Sequence, residues 1–424
     1  MNIERIAEYI KKHCSADDYS LHISNWDSHQ TRFAQNGITQ HMAGEKLDIS
    51  LNVSFGTRSG SCTINQNDEQ SLAYLLKTAE DIARLAPEDP EFMPSAGQAS
   101  VPKVDNCDEE TKKLQPAQMV EIVQQAIDKA KAIDATVSGM TEKHYGQSFM
   151  FTKNGFVGSN ESTNFGHSMT LKKGSVETKV DYDAKRFAPF SLEKDFSRLA
   201  AQARSLEGMQ SFEPQKIAVI LRPGALQELM WFMGWMMNRR QSDEGFTPFT
   251  DQLGKEFFGE KFSWYSTLNR PELAASPYNG EGIPSEEIAW VENGVLKNMP
   301  TNRYWAKKVG AKPASVFNVY IPGGNASEED MMKLVPRGLI INRFWYIRTV
   351  DAKSGELTGM TRDGVLYFED GKVKHAINNL RFNEIPHDAT RRILALGATE
   401  LASSSVCVPT MLIDGFNFVD KTSF

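Results

Sequence analysis

The histidines of this chain are too widely spaced for the helical zinc site that many hydrolases use. In such a site two histidines on one helix hold the metal, and an adjacent glutamate activates the bound water. The chain has eight histidines: His13, His22, His29, His41, His144, His167, His375 and His387. No two are separated by the three or four residues that this motif requires. A zinc site assembled from distant histidines remains an alternative.

Nucleophilic catalysis by serine or cysteine is not indicated either. The chain has no Gly-x-Ser-x-Gly elbow, and the serines at 403–405 are predicted to form a loop. The four cysteines are scattered and form no Cys-x-x-Cys motif, which predicts free thiols in a reducing compartment. They are Cys14, Cys62, Cys107 and Cys407.

Polar residues of possible functional use lie instead between residues 337 and 382. Three apolar runs, 339–341, 344–347 and 364–368, are rich in β-branched and aromatic residues and are predicted to form strands. Turn signals at 353–355, 362–364 and 369–371 separate or follow them, and the last two contain Asp-Gly. This pattern predicts an antiparallel meander with three arginines set among its strands: Arg343, Arg348 and Arg362.

A second segment with strong structural signals covers residues 216–240. Residues 216–221 are predicted to form a buried strand, Arg222-Pro-Gly224 ends it, and a helix is expected to run to about Arg240. The residues at 229–237 are large and apolar with one glycine, so we expect neighbouring elements to bury the helix. Core packing explains this composition, and a subunit interface is the alternative.

The C-terminal half resembles a known family. Residues 342–348 (Asn-Arg-Phe-Trp-Tyr-Ile-Arg), 357–364 (Leu-Thr-Gly-Met-Thr-Arg-Asp-Gly) and 379–383 (Asn-Leu-Arg-Phe-Asn) are similar, in the same order, to the C-terminal domain of the TldD/PmbA family. That family is named for peptide-maturation metalloproteases, which were once described as modulators of DNA gyrase. The resemblance implies a chamber for extended peptides, and Arg343, Arg348 and Arg362 are candidates for its polar wall. The alternative is that these arginines are paired within the fold.

The catalytic motif of the family is missing from this sequence. Catalytic members carry HExxxH on the helix after the 216–221 strand, whereas this chain has Trp231 and Met236 at the histidine positions and Phe232 at the glutamate position. The resemblance therefore implies a subunit of the PmbA/TldE type, with no catalytic residue and no cofactor of its own. A TldD-like partner bearing HExxxH would supply the zinc. Whether this chain is an enzyme by itself stays uncertain.

Two further residues match family features but are expected to be structural. Glu281 lies in a Gly-rich segment at 278–282, where we expect it to bind a backbone group or an arginine. The resemblance implies that a C-terminal cysteine completes the zinc site in metal-bearing relatives. Cys407 is the candidate here, and without a histidine pair we expect a buried thiol.

The N-terminal half repeats one plan. A helix, a set of alternating strands and a second helix are predicted within 1–95 and again within 96–210, joined by a proline-rich linker at 87–116. Phe33-Ala-Gln-Asn-Gly37 is similar to Phe151-Thr-Lys-Asn-Gly155, an offset of 118 residues (155 − 37). We therefore predict an α+β protein with a duplicated helix–β-meander–helix N-terminal half. A β-rich C-terminal domain is expected at 211–424, and its residues 386–396 are predicted to form a helix after the meander.

Composition limits the possible partners. The net charge of −7 and the pI near 5.7 give no sign of a nucleic-acid-binding protein. The longest apolar run has nine residues, fewer than a membrane span needs, and the first twelve residues lack the apolar core of a signal peptide. We expect a cytoplasmic protein that binds neither nucleic acid nor membrane.

Three functional hypotheses follow. The first is a zinc-less PmbA/TldE-like subunit that forms a heterodimer with a TldD-like chain in the proteolysis or maturation of peptides. The second is a homodimeric peptide-binding or regulatory protein without protease activity. The third is an active hydrolase whose catalytic residues follow no recognised motif.

Overall fold

Long amphipathic strands dominate the N-terminal half of the computed structural model, which describes residues 3–174 and 176–422. Side chains alternate between buried and exposed along the first strand, as expected when one face of a sheet is covered. The elements of this half are α1 (Ile3–His13), β1 (Asp18–Ala34), β2 (Gly37–Phe55), β3 (Arg58–Ile64), α2 (Glu69–Leu85), α3 (Glu109–Lys113), α4 (Pro116–Ala132), β4 (Thr136–Thr152), β5 (Val157–Lys173), β6 (Val176–Ala184) and α5 (Leu192–Leu206).

The predicted duplication is present. β1 and β4 have equal lengths and begin 118 residues apart (136 − 18), and the Asn-Gly sequences at 36–37 and 154–155 both join the first and second strands of a meander. The two meanders form one six-stranded sheet in the order β3-β2-β1-β4-β5-β6, in which β1 pairs antiparallel with β4. The repeats are therefore joined through their first strands. The domain boundaries near 95 and 210 stay predictions.

Helices cover one face of this sheet and build its cores. Along α2 the apolar residues recur every three or four positions, so Leu72, Leu75 and Ala79 are all buried against β1 and β2. Asp68 ends the preceding loop and accepts a hydrogen bond from the Ser71 amide, which fixes the start of the helix. α4 and α5 form a second core over β4, β5 and β6.

A larger sheet forms the C-terminal domain and confirms that it is β-rich. Its strands run β10-β9-β8-β11-β17-β15-β13-β12-β7, and β17 also pairs with β7, so β17, β15, β13, β12 and β7 form a closed ring. The elements are β7 (Lys216–Leu221), α6 (Pro223–Met236), α7 (Arg239–Asp243), β8 (Trp264–Ser266), β9 (Ile288–Glu292), β10 (Val295–Leu296), α8 (Arg303–Val309), β11 (Val319–Tyr320), α9 (Glu328–Lys333), β12 (Arg337–Asp351), β13 (Glu356–Glu369), β14 (Lys372–Ile377), β15 (Leu380–Glu384), α10 (Pro386–Thr390), β16 (Ile393–Ser403) and β17 (Val406–Lys421).

Two predicted boundaries in this domain are wrong. The helix after β7 ends at Met236 rather than near Arg240, because Asn238 caps a separate short helix, α7, by accepting a hydrogen bond from the Gln241 amide. The helix predicted for 386–396 stops at Thr390, and the chain then forms β16. β16 pairs along its length with β17. This strand pairing overrides the local helical pattern of the sequence.

Candidate functional site

The site begins at an irregularity in β13. Residues 362–364, predicted to form a turn, lie inside this strand, and the actual turn between β12 and β13 is at 352–355. Asp363 and Gly364 have φ of 64° and 95°, in the left-handed region, so the Asp-Gly pair forms a bulge instead of a hairpin. The Asn342 side chain donates to the carbonyls of Asp363 and Gly364 at 3.1 and 3.2 Å, which stabilises this conformation.

A polar network connects the bulge to the start of α6. Arg222, the residue before α6, donates two hydrogen bonds to the Glu328 carboxylate at 2.6 and 2.7 Å. Its third contact is to the Asn342 side-chain oxygen at 2.6 Å. Because bidentate guanidinium–carboxylate pairs have a fixed geometry, Arg222 sets the position of Asn342 relative to the helix.

The three segments that carry the family resemblance meet at this bulge. Thr361 donates to the side-chain oxygen of Asn379 at 3.2 Å and accepts from the Leu380 amide at 2.9 Å. Asn342 belongs to the first segment, Thr361 and Asp363 to the second, and Asn379 to the third. Sequence reasoning did not single out Asn342 or Arg222, although the first lies in a quoted motif.

Two of the three candidate arginines are brought together. Arg343 and Arg362 are directly opposite on β12 and β13, and Arg343 forms an ion pair with Asp363 at 2.7 Å. The Arg362 guanidinium lies 4.2 Å from the ring centre of Trp345 and 3.8 Å from Asp363. Arg343 is thus held by a partner, while Arg362 remains partly exposed.

Arg348 lies apart from this pair. It is exposed, donates to the neighbouring Ile347 carbonyl at 2.7 Å and lies over the Tyr346 ring at 4.3 Å. Tyr346 has φ of 56°, which is strained for a non-glycine residue and marks a second irregularity in β12.

A cavity of about 340 Å³ adjoins the bulge, between the N-terminal half and the C-terminal ring. Its C-terminal wall includes Thr361, Arg362 and Trp345, and Leu206 and Glu177 line it from the N-terminal half. This volume is at the small end of the range for ligand sites and suits one or two amino-acid side chains. The wall combines a guanidinium, an indole and hydroxyl groups, which suits a peptide-like ligand.

Charged groups on β6 and β12 act on Glu228 of α6. Burial raises the pKa of Glu228 on α6, whereas the positive charges of Arg343 and Lys179 oppose the shift and Asp181 adds to it. Lys179 and Asp181 lie on β6 and Arg343 on β12. Charges on β6 and β12 therefore both affect the carboxyl group of Glu228 on α6.

The positions predicted for the family zinc motif lie on α6 and carry no zinc-binding group. Trp231 is 45% exposed, Phe232 is half-buried and Met236 is buried. Trp235, one turn beyond Trp231, is 65% exposed, so the expectation that neighbours bury this helix on all sides is wrong. Leu229 and the other core residues occupy only the opposite face. Indole, phenyl and thioether groups do not match the nitrogen, thiolate and carboxylate ligands that zinc prefers.

The histidines do not assemble into a substitute site. Within residues 3–174 and 176–422, no three His, Cys, Asp or Glu side chains are grouped so that they could hold a metal ion. The rings of His29 and His41 come within 5.9 Å of each other. His167 and His387 are buried, and burial lowers the pKa of each to about 4, so both are neutral at physiological pH.

The structural roles expected for Glu281 and Cys407 are confirmed. The Glu281 carboxylate accepts a hydrogen bond from the Arg303 amide at 3.2 Å. Cys407 is buried, and burial raises the pKa of its thiol to about 11.

None of the described helices is both long enough and apolar enough to span a bilayer.

The fold and the site together define a class of α+β protein with a duplicated N-terminal sheet, a closed C-terminal ring and a small cavity with polar and apolar walls between them. Comparison with known proteins identifies the class. The family model described as the PmbA/TldA metallopeptidase C-terminal domain matches residues 214–420. The metalloprotease PmbA of Escherichia coli O157:H7 is 22% identical over 405 residues, which cover 87% of this chain and 85% of that protein.

Solved structures show the same fold over almost the whole chain. TldE from Thermococcus kodakarensis superposes with a TM-score of 0.88 at 16% identity, covering 98% of this chain and 99% of its own. A Thermotoga maritima protein named as a candidate modulator of a DNA gyrase gives a TM-score of 0.86 at 18% identity, with the same coverage. Residues 214–420 therefore belong to the C-terminal domain family of the TldD/PmbA metallopeptidases, and the whole chain has the fold of the TldE structure.

Proposed function

We propose that this chain is the zinc-less, peptide-binding subunit of a TldD/PmbA-type metallopeptidase. One contrast carries the proposal: Trp231, Phe232 and Met236 occupy the predicted zinc-motif positions, while a network of Asn342 and Asp363 is connected through Arg222 to the start of the same helix. A formed polar site together with positions that cannot bind zinc is expected of a subunit that binds substrate and leaves cleavage to a partner.

Peptide recognition is assigned to the cavity beside the bulge. The Arg362 guanidinium can donate to a carboxylate or a peptide carbonyl, and Trp345 provides an apolar surface beneath it. Arg343 neutralises Asp363 and so leaves Arg362 available. Arg348 stands outside the cavity and contributes to the outer polar surface.

The partner in this proposal is a TldD-like chain that carries HExxxH and zinc, and the substrates are extended peptides in the cytoplasm. The exposed indoles of Trp231 and Trp235 favour contact with a partner or a peptide, because large exposed aromatic groups are enriched at binding surfaces. A homodimer that binds peptides without cleaving them is the alternative. It requires the same cavity but no zinc-bearing chain.

Peptide binding tests the assignment of the cavity. The probe is a fluorescein-labelled, unstructured ten-residue peptide, titrated into the purified chain and followed by fluorescence anisotropy. Replacing Arg362 with Gln should raise Kd about tenfold, because a lost charged hydrogen bond is worth about 1.5 kcal/mol or more. Arg348→Gln is the matched control and should change Kd less than about twofold. Equal effects of the two variants, or no saturable binding by the wild-type chain, would contradict the assignment.

A further inference from the structure

The wall that the N-terminal half gives to the cavity keeps one negative charge. Glu177, Lys179 and Asp181 alternate along β6 and therefore share one face of the strand, where Lys179 and Asp181 form an ion pair at 2.6 Å. Glu177 is exposed and lines the cavity. It forms no ion pair within the described chain, although Lys172 lies directly opposite on β5. One carboxylate on this wall is thus left without a counter-charge.

The wall from the C-terminal ring keeps a positive charge. Asp363 forms an ion pair with Arg343 at 2.7 Å and lies 3.8 Å from Arg362. One carboxylate balances only one of the two guanidinium groups. The Arg362 side chain is 37% exposed and lies against the Trp345 ring, so its guanidinium is accessible from the cavity. The two walls therefore face each other with unlike charges.

Between these charges the lining is largely apolar. Val176 and Leu206 contribute from the N-terminal half, and Trp345, Met360 and Ile377 contribute from the ring. The volume of about 340 Å³ is at the small end of the range for ligand sites. This space suits the side chains of one or two apolar amino acids, and it favours a ligand that carries a charge at each end.

We propose that the cavity binds short peptides, one or two residues long, that have apolar side chains and two free ends. The ammonium group of the ligand pairs with Glu177, and its carboxylate pairs with Arg362. A ligand with both charges complements both walls, whereas a ligand with one leaves the other wall unpaired. In a peptidase such short peptides are products of cleavage. The inference rests on the proposed function, because it uses the same cavity, and it adds that the cavity selects free ends.

Blocked forms of one dipeptide test each charge separately. The probe is leucyl-leucine, titrated into the purified chain by isothermal calorimetry. Its N-acetyl derivative lacks the ammonium group, and its C-terminal amide lacks the carboxylate. Each block should raise Kd about tenfold, because each removes one charged hydrogen bond. No saturable binding of leucyl-leucine up to about 10 mM, or no effect of either block, would overturn the proposal.

Two variants should abolish the effects of the blocks one at a time. Glu177→Gln should weaken the binding of leucyl-leucine about tenfold. In this variant the acetyl block should change Kd less than about twofold, while the amide block keeps its tenfold effect. Arg362→Gln should give the reverse pattern. A folding defect would weaken all three ligands alike, so the crossed pattern reports the two contacts themselves.

Glu207→Gln is the matched control for Glu177→Gln. Glu207 is an exposed carboxylate next to Leu206, but it does not line the cavity. Its replacement should change the Kd of each ligand less than about twofold. An acetyl block that costs as much in Glu177→Gln as in the wild-type chain would overturn the assignment of the ammonium group.

Competition with the labelled ten-residue peptide separates this inference from the proposed function. Leucyl-leucine should displace that peptide from the wild-type chain. If the ten-residue peptide binds through Arg362 but leucyl-leucine neither binds nor displaces it, the inference is overturned and the proposed function stands. If leucyl-leucine gives the crossed pattern and the ten-residue peptide does not bind, the proposed function fails and the inference stands.

Discussion

The bulge in β13 and the outer face of α6 differ in the side chains that they carry and in how far those side chains are exposed. The bulge is polar and internally satisfied: Asn342, Thr361 and Asp363 all have partners. The outer face of α6 carries Trp231 and Trp235, both well exposed. The residues that shape the site are in place, whereas the positions that would hold zinc carry aromatic and thioether groups. This difference is the basis of the proposal that the chain binds peptide and that a partner cleaves it.

The most damaging change to the bulge should be Gly364→Val. Gly364 has φ of 95°, and an added Cβ would lie 2.8 Å from a methyl group of Leu206. Backbone strain and overpacking together should lower the free energy of unfolding by about 3–5 kcal/mol, measured by urea denaturation. Gly280→Ala is the control, since its added Cβ meets nothing within 4 Å. A loss below about 1 kcal/mol for Gly364→Val would show that the bulge is not a fixed feature.

The two faces of α6 should respond differently to truncation. Leu229 is buried in the main core, so Leu229→Ala should cost about 2–5 kcal/mol. Trp235 is 65% exposed, and Trp235→Ala should change stability by less than about 0.5 kcal/mol while weakening the binding of a partner or peptide. Thermal denaturation and binding titrations separate the two effects. If Trp235→Ala proves as destabilising as Leu229→Ala, the outer face of α6 is structural, and this result would contradict its proposed role in binding.

Glu228 joins the two regions, and its replacement should have the smallest effect. Because burial raises its pKa in the folded state, its stabilising contribution is complete below the unfolded pKa of about 4.3 and is lost as pH rises through the folded pKa. Glu228→Gln should therefore raise Tm at pH 8 and leave it unchanged near pH 4. Solvent screening keeps the gain below about 1 kcal/mol. Glu177→Gln, which removes an exposed carboxylate that lines the cavity, is the control for loss of charge; an equal rise in Tm at pH 8 would show that burial of Glu228 is not the cause.

Local signals predicted the elements that depend on local sequence. The duplicated plan of the N-terminal half and the strands within 337–382 follow from local patterns, and the structure confirms them. The bulge did not follow, because Asp363-Gly364 is a usual hairpin sequence and only Asn342 on the neighbouring strand makes it a bulge. The helix expected at 386–396 failed for the same reason, since β17 supplies the competing pairing.

The candidate site was only partly predictable. Arg343 and Arg362 were singled out, and the structure places them side by side; Arg348 was grouped with them and lies apart. Strand alternation cannot show this, because the irregularity at Tyr346 changes which side chains share a face. Glu228 carried no signal, since a glutamate on a helix is ordinarily a surface residue.

Zinc content and peptidase activity of the purified chain test the central claim most directly. The chain is measured alone and after mixing with an HExxxH-bearing TldD-like chain, with unfolded peptide as substrate and elemental analysis for the metal. The account predicts neither zinc nor cleavage by this chain alone, and cleavage by the mixture that depends on Arg362. Stoichiometric zinc together with cleavage by this chain alone would contradict it, and would mean that residues assigned here to structure bind the metal.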